Sequence, residues 1–479
     1  MTTDFGDWLS PMLVKELRQG MRSRVFMSAF YLTQLLMILS VVFNLAAATN
    51  TEMPAEMLAF LNGLFWLMIS VPLLFVMPIR GFGALHGEIK AGTIELVFLT
   101  RLTAWRIAAG KWTALMAQTL LLLCAVLPYV LLRYFLGGVD ILADLQSLLF
   151  LLLTCAVLTA ATIAMSPYES KLLRALFVIG LIFGFQFLIG MMFAWMAVGR
   201  IAGAAGSSAP VWQLYLGVAL YVPAFIALAL EIAASRIAPP AENHAIRKRL
   251  IGLVIFLAAP VLTLFSPGRE ALYGASLLFL VPVIVDALAE PVVVLGSIYR
   301  PFLRRGSLGR IGALVFTPGW VSAAWYTALL ALLGSAALAM QGQFADPLKA
   351  LSYVAYFGAL IFPAALIRLF LPSTKYFLGF YIAFQFFFAA VTLLVGMMAG
   401  ISNQPMTRWL SPIPNCSYWL TLTSQVKPEQ VTEFLVATSF VTAASLGILL
   451  LRTIPALRDI RAVLGQTARN HGPVGEASN

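Results

Sequence analysis

The chain has 479 residues, of which 61% are hydrophobic and only 11% charged, with a formal net charge of +11 and a mean hydropathy of +0.92. A composition this apolar leaves no room for a soluble catalytic domain and places the chain among the integral membrane proteins. Cys124 and Cys155 sit inside apolar runs and Cys416 in a polar stretch, which gives neither a disulfide framework nor a metal-ligand spacing.

Residues 1–25 precede the first apolar run. In SPMLVKELRQGMRSR, Ser10 can cap a helix with Pro11 in its first turn. Leu13, Leu17 and Met21 then form an apolar stripe, and Lys15, Glu16, Arg18, Arg22 and Arg24 supply the polar flanks. The segment reads either as an interfacial helix or as a basic flank that fixes topology. The run from Phe26 to Ala48 is longer than a signal-peptide core and is expected to stay as an anchor.

Apolar runs predict twelve spans, at 26–48, 57–79, 112–132, 146–165, 175–198, 211–235, 250–267, 272–292, 319–340, 350–371, 376–401 and 430–451. The expected fold is therefore all-α and polytopic, arranged as 6+6. Of the 31 Lys and Arg, all but Arg133, Arg200, Arg269, Lys349, Arg408 and Lys427 fall on the side of the amino terminus. The positive-inside rule then puts both termini in the cytoplasm, in a plasma membrane of the bacterial inner-membrane kind. The positive charge points to anionic membrane lipids as neighbours and gives no ground for nucleic-acid binding.

Between the second and third spans lies HGEIKAGTIELVFLTRLTAWRIAAGKW, far longer than a simple turn needs. Ile94, Val97, Phe98, Leu102, Trp105 and Ile107 recur mostly at helical spacings, with Glu88, Lys90, Glu95, Arg101, Arg106 and Lys111 between them. Gly92 and Thr93 are read as one helix start and Thr103 as a second, with a break near 101–103. Such a segment either floats on the lipid surface or is gripped from the aqueous side by a partner.

The order PMLVKELRQGMRSR, two spans, GEIKAGTIELVFLTRLTAWRIAAGKW and CAVLPYVLLRYFLGG resembles the permease subunits of type-2 ABC exporters, over about residues 8–138. The resemblance implies an interfacial helix, a six-span domain over 26–235, and a coupling helix that docks on a separate ATPase subunit. It places the coupling segment on Glu88, Lys90, Gly92, Thr93, Glu95, Leu99, Arg101, Leu102, Trp105, Arg106, Gly110 and Lys111. The family's usual proline after the threonine is replaced here by Arg101, so the break rests on Thr103. It further implies a homodimer or a second permease subunit as a partner.

No cofactor is expected in this chain, which carries no nucleotide-binding motif. A P-loop needs GxxxxGK followed by Ser or Thr, and Gly110-Lys111 is followed by Trp112 without the upstream glycine. ATP and magnesium then belong to the partner ATPase, and the chain itself is not expected to be an enzyme.

A basic linker over 236–249 leads to a second six-span region, 250–451, and a polar tail, 452–479. The second region repeats the first in outline: two spans, the basic stretch RPFLRRGSLGRIGALVFTPGW, then four. It is read as a degenerate parallel repeat or as an added membrane domain. The stretch 402–430 is read as a cap dipping into the interface or as a long outer loop.

Polar groups inside spans are costly and mark candidate routes or gates. Those here are Glu231, Asp286, Glu290, Gln118 and Gln186. Asp286 and Glu290 share a helix face, and the plainer reading pairs these acids with Arg300, Arg304 or Arg305 or lets them snorkel to water. A secondary transporter is the alternative function, but it predicts ion-coupling charges at mid-membrane and a short second loop. A membrane-embedded enzyme or scaffold stands behind it, since His86, His244 and His471 lie far apart in sequence.

Overall fold

The computed structural model describes residues 11–49, 54–92, 102–136, 140–168, 170, 173–180, 211–264, 269–340, 346–371, 374, 376–402 and 431–470. All regular structure among these residues is helical. Eight helices among them are long and apolar enough to cross a membrane, so the chain is a polytopic helical membrane protein. The chain falls into two compact units, Met1–Ala238 and Pro239–Asn479.

The first unit opens with α1 (Pro11–Met21) and α2 (Arg24–Thr49). Then come α3 (Ala55–Val71), a π-helical turn at Pro72–Val76, α4 (Met77–Ile79) and α5 (Gly81–Lys90). A continuous apolar stretch runs from Phe60 to Lys90. Proline at 72 and 78 cannot donate to the preceding turn, which accounts for the widened helix there. The unit continues with α6 (Ala104–Leu136), α7 (Ile141–Met165) and α8 (Val211–Ile237). The expected fifth span, 175–198, lies mostly outside the described residues.

Two buried clusters hold this unit. Phe65, Trp66, Ile69 and Leu73 pack on Leu122, Val126, Leu148 and Leu151, among others. Nearer the other end, Leu85, Ile107, Ala108, Ile163, Leu230 and Ala233 form a second cluster. A buried ion pair closes the far end of α6. Arg133 Nη1 lies 3.5 Å from Asp144 Oδ2, Nη2 donates to Asn62 Oδ1 at 2.6 Å, and the guanidinium covers the Phe65 ring at 3.8 Å.

The second unit comprises α9 (Ala245–Leu264), α10 (Arg269–Ala289), α11 (Gly296–Leu303), α12 (Gly306–Phe316), α13 (Trp320–Met340), α14 (Pro347–Phe370), α15 (Phe377–Ser402) and α16 (Val431–Asn470). The basic stretch at 300–320 holds a helical hairpin, α11 and α12, turned at Gly306 with φ +68°. The expected seventh, eighth and eleventh spans are the helices α9, α10 and α15. Of these, α10 has 21 residues and α15 has 26. The stretch 403–430 lies outside the described residues.

Candidate functional site

The site forms where α1, α5 and α6 meet, at the two ends of the segment between the second and third spans. On α1 and just beyond it, Lys15, Arg18, Arg22 and Arg24 are exposed while Glu16 is half-buried. Glu16 Oε1 lies 3.2 Å from Lys111 Nζ, and Glu88 Oε1 lies 2.8 Å from the same nitrogen. Lys111 is 5% exposed. An ammonium that deep needs carboxylate partners, because leaving it unpaired costs several kcal/mol, about 3–5.

Arg80 adds a second tie. Its Nη2 donates to Gly20 O at 3.3 Å and to Ser23 Oγ at 3.2 Å, and its guanidinium sits 5.6 Å from the centre of the Phe26 ring. Ser23 shapes the turn between α1 and α2: its hydroxyl donates to Gly20 O at 2.7 Å and accepts from Phe26 N at 3.3 Å. Gln118, among the polar groups expected to mark a route or gate, is buried on α6 and abuts Gly20.

The helix α5 is docked on α7. Ser166 Oγ donates to Phe82 O at 2.8 Å and accepts from the backbone N–H groups of Leu85 and His86, both at 2.9 Å. Trp112 Nε1 donates to Ala156 O at 3.1 Å, which fixes the start of α6 on the same neighbour.

The structure adds to one expectation about local structure and corrects another. Gly92, read with Thr93 as a helix start, closes α5: its φ is +66°, and its N–H closes back on Ile89 O at 3.1 Å, while the start expected at Thr93 lies outside the described residues. Glycine adopts that left-handed cap without strain, and asparagine is the side chain that tolerates it best. Residues 86–90, read as the start of a surface segment, are the last turns of the helix leaving the second span. Thr103 does begin a helix, since α6 starts at the next residue and Arg106 N donates to Thr103 Oγ1 at 3.4 Å.

The sequence-predicted coupling residues therefore divide by environment. Glu88 and Lys111 turn inward as part of the clamp. Leu102 and Trp105 pack on the core cluster around Ile107, and Gly110 is half-buried. Lys90, Gly92 and Arg106 are exposed. Thr93, Glu95, Leu99 and Arg101 lie outside the described residues, as does Gln186. Arg80, Gly20, Ser23 and Ser166 were not legible as site residues; a lone arginine closing a long apolar run was the available signal.

In the second unit the acids expected as a gate are bound up in an internal network. Lys248 Nζ sits 2.6 Å from Asp286 Oδ2 and 2.5 Å from Glu290 Oε1, and Arg249 Nη2 lies 3.0 Å from Glu290 Oε2. All of these groups are buried. Arg249 also donates to Thr317 O and Ser322 Oγ, both at 2.9 Å, and Glu290 Oε2 accepts from Gly319 N at 3.1 Å. The partners are thus the first turn of α9, expected as a cytosolic linker, and not Arg300, Arg304 or Arg305, which are exposed. Two cations balance two carboxylates, so the network fastens the 317–319 turn to the end of α10. Glu231 is buried within α8.

No known protein family, curated protein or solved structure matches this chain.

Proposed function

We propose that the chain is the membrane-spanning permease subunit of an ATP-driven ABC exporter, worked by a separate ATPase that carries the ATP and magnesium. The observation that carries this reading is the double pairing of Lys111 with Glu16 and Glu88. It ties α1, the end of α5 and the start of α6 into one frame around the 91–103 segment. A push on that segment then reaches the second and third spans together, which a transmission element requires.

The exposed residues of the frame, Lys90 and Arg106 with the basic face of α1, meet the partner on the cytoplasmic side. Both termini lie on that side of a bacterial inner membrane. The chain pairs with a second copy of itself or with a second permease subunit.

The test is copurification of the full chain with an ATPase encoded in the same operon. Lys90→Glu with Arg106→Glu should abolish capture. Lys111→Met should retain capture but lose lipid-stimulated ATPase activity, because docking survives and transmission does not. Undiminished capture by the double variant overturns the docking surface, and unchanged stimulation in Lys111→Met overturns the frame.

A further inference from the structure

The hairpin α11–α12 borders an open cavity of about 490 Å³ against the Leu457–Ile460 turn of α16, within the range of small-molecule sites, roughly 300–1,000 Å³. Its walls are Val292, Ala313, Leu314, Val321, Leu457 and Ile460, with Tyr299, Thr317 and Ser322 beneath and Arg310 at the rim. The polar groups beneath are already engaged. Thr317 Oγ1 donates to Ala313 O at 2.7 Å, and Ser322 Oγ donates to Gly319 O at 2.9 Å. Burial raises the Tyr299 phenol above its ordinary value, so it stays neutral. What remains facing the cavity is apolar, with one fixed positive charge at the mouth.

The surroundings define the occupant. Residues 291–345 contain no Asp or Glu and carry Arg300, Arg304, Arg305 and Arg310, all exposed. On the same outer surface of α12, Leu308 is 79% and Ile311 62% exposed, one turn apart. Arginines interleaved with exposed aliphatic side chains on a short helix suit the headgroup and acyl boundary of a bilayer. An acidic protein would satisfy the arginines but leave Leu308 and Ile311 in water.

We propose that this cavity is a binding site for an anionic phospholipid of the surrounding bilayer. One acyl chain enters between Leu314, Val321 and Leu457, and the phosphate is held by Arg310. The lipid then bridges the α11–α12 hairpin and the final helix. This inference does not depend on the exporter reading, since the cavity belongs to the second unit and needs no ATPase.

The test uses the full-length protein in phosphatidylcholine vesicles doped with a phosphatidylglycerol that bears a diazirine near one acyl terminus. Crosslinked residues are located by peptide mass spectrometry. Label should concentrate at Leu314, Val321 and Leu457 and fall on the order of tenfold in Arg310→Glu, the effect of removing one favourable charge contact. Leu314→Trp, which fills the cavity, should suppress the same label. Both variants should leave label unchanged at Leu332, a lipid-exposed position on α13. Equal labelling by the phosphatidylcholine analogue, or labelling indifferent to both variants, overturns the proposal. So does capture from cells of an acidic protein crosslinked through positions 308 and 311 in place of lipid.

Discussion

Gly20 approaches Gln118 so closely that a methyl group on its α-carbon would lie 2.1 Å from the amide nitrogen. The contact is a fit between α1 and α6 in which any side chain at position 20 must push the buried Gln118 amide aside, and it bears on how deeply the first helix seats beside the third span. Gly20→Leu should therefore lift α1 away and cost about 1–3 kcal/mol, the usual penalty for overpacking. Gly83→Ala and Gly87→Ala, where nothing lies within 4 Å, should instead stabilise α5 by about 0.5–1 kcal/mol. Apparent melting temperatures of the three variants in one detergent would decide this; an unaffected Gly20→Leu would disprove the close seating.

The clamp at Lys111 makes a second prediction. Glu16 and Glu88 are 22% and 23% exposed, so water screens both partners and each pairing is worth less than a fully buried one. Glu16→Gln and Glu88→Gln should each be mild, and the double variant should cost more than their sum because Lys111 is then left buried without a counter-charge. A double-mutant cycle read by chemical unfolding measures the excess, and strict additivity would argue against a shared cation.

Within the second unit, Glu290 neutralises both Lys248 and Arg249 and accepts the Gly319 N–H. Glu290→Ala should cost about 3–5 kcal/mol, since two buried cations lose a partner at once. Lys248→Met with Asp286→Leu, which removes one cation and one anion together, should fold far better than Lys248→Met alone. Comparable loss in both would mean that the pairing is not what holds this region.

At the opposite end of α6, Arg133 pairs with Asp144 beneath the Phe65 ring. Arg133→Ala should destabilise by about 3–5 kcal/mol, leaving Asp144 buried without its charge partner. Arg133→Leu combined with Asp144→Leu should recover much of that loss. Thermal unfolding of the single and double variants gives the comparison.

Gly92 allows a sharper local test. Any L-residue there is forced into the left-handed region, so Gly92→Val should cost about 1–2 kcal/mol, whereas Gly92→Asn should be nearly silent. Equal effects of the two substitutions would remove the left-handed cap from the account.

The membrane character, the helix through Leu13, Leu17 and Met21 and the cap at Thr103 were legible in the sequence, because each depends on local composition or on a residue's own backbone preference. The function of Gly92 was not, since a glycine before a threonine looks the same whether it closes one helix or precedes the next. Glu88 and Lys111 stood in view as charged members of one segment, yet their meeting depends on how α5 and α6 pack. Lys248 and Arg249 show the same limit: counting positive charge explains topology but does not reveal that two of those side chains point inward onto Asp286 and Glu290.

The last helix, Val431–Asn470, has 40 residues and is therefore about 60 Å long, roughly twice the thickness of the hydrocarbon layer. Val431–Arg458 holds an apolar span, whereas residues 459–470 carry Asp459, Arg461, Gln466, Arg469 and Asn470, so that end continues as a polar stalk of about 18 Å, at 1.5 Å per residue. Leu457 and Ile460 stand at its foot, where the stalk closes over the space under α12. Bending or pulling the stalk would open or shut that space, and a fluorophore placed near its tip would register the movement as a change in height above the lipid.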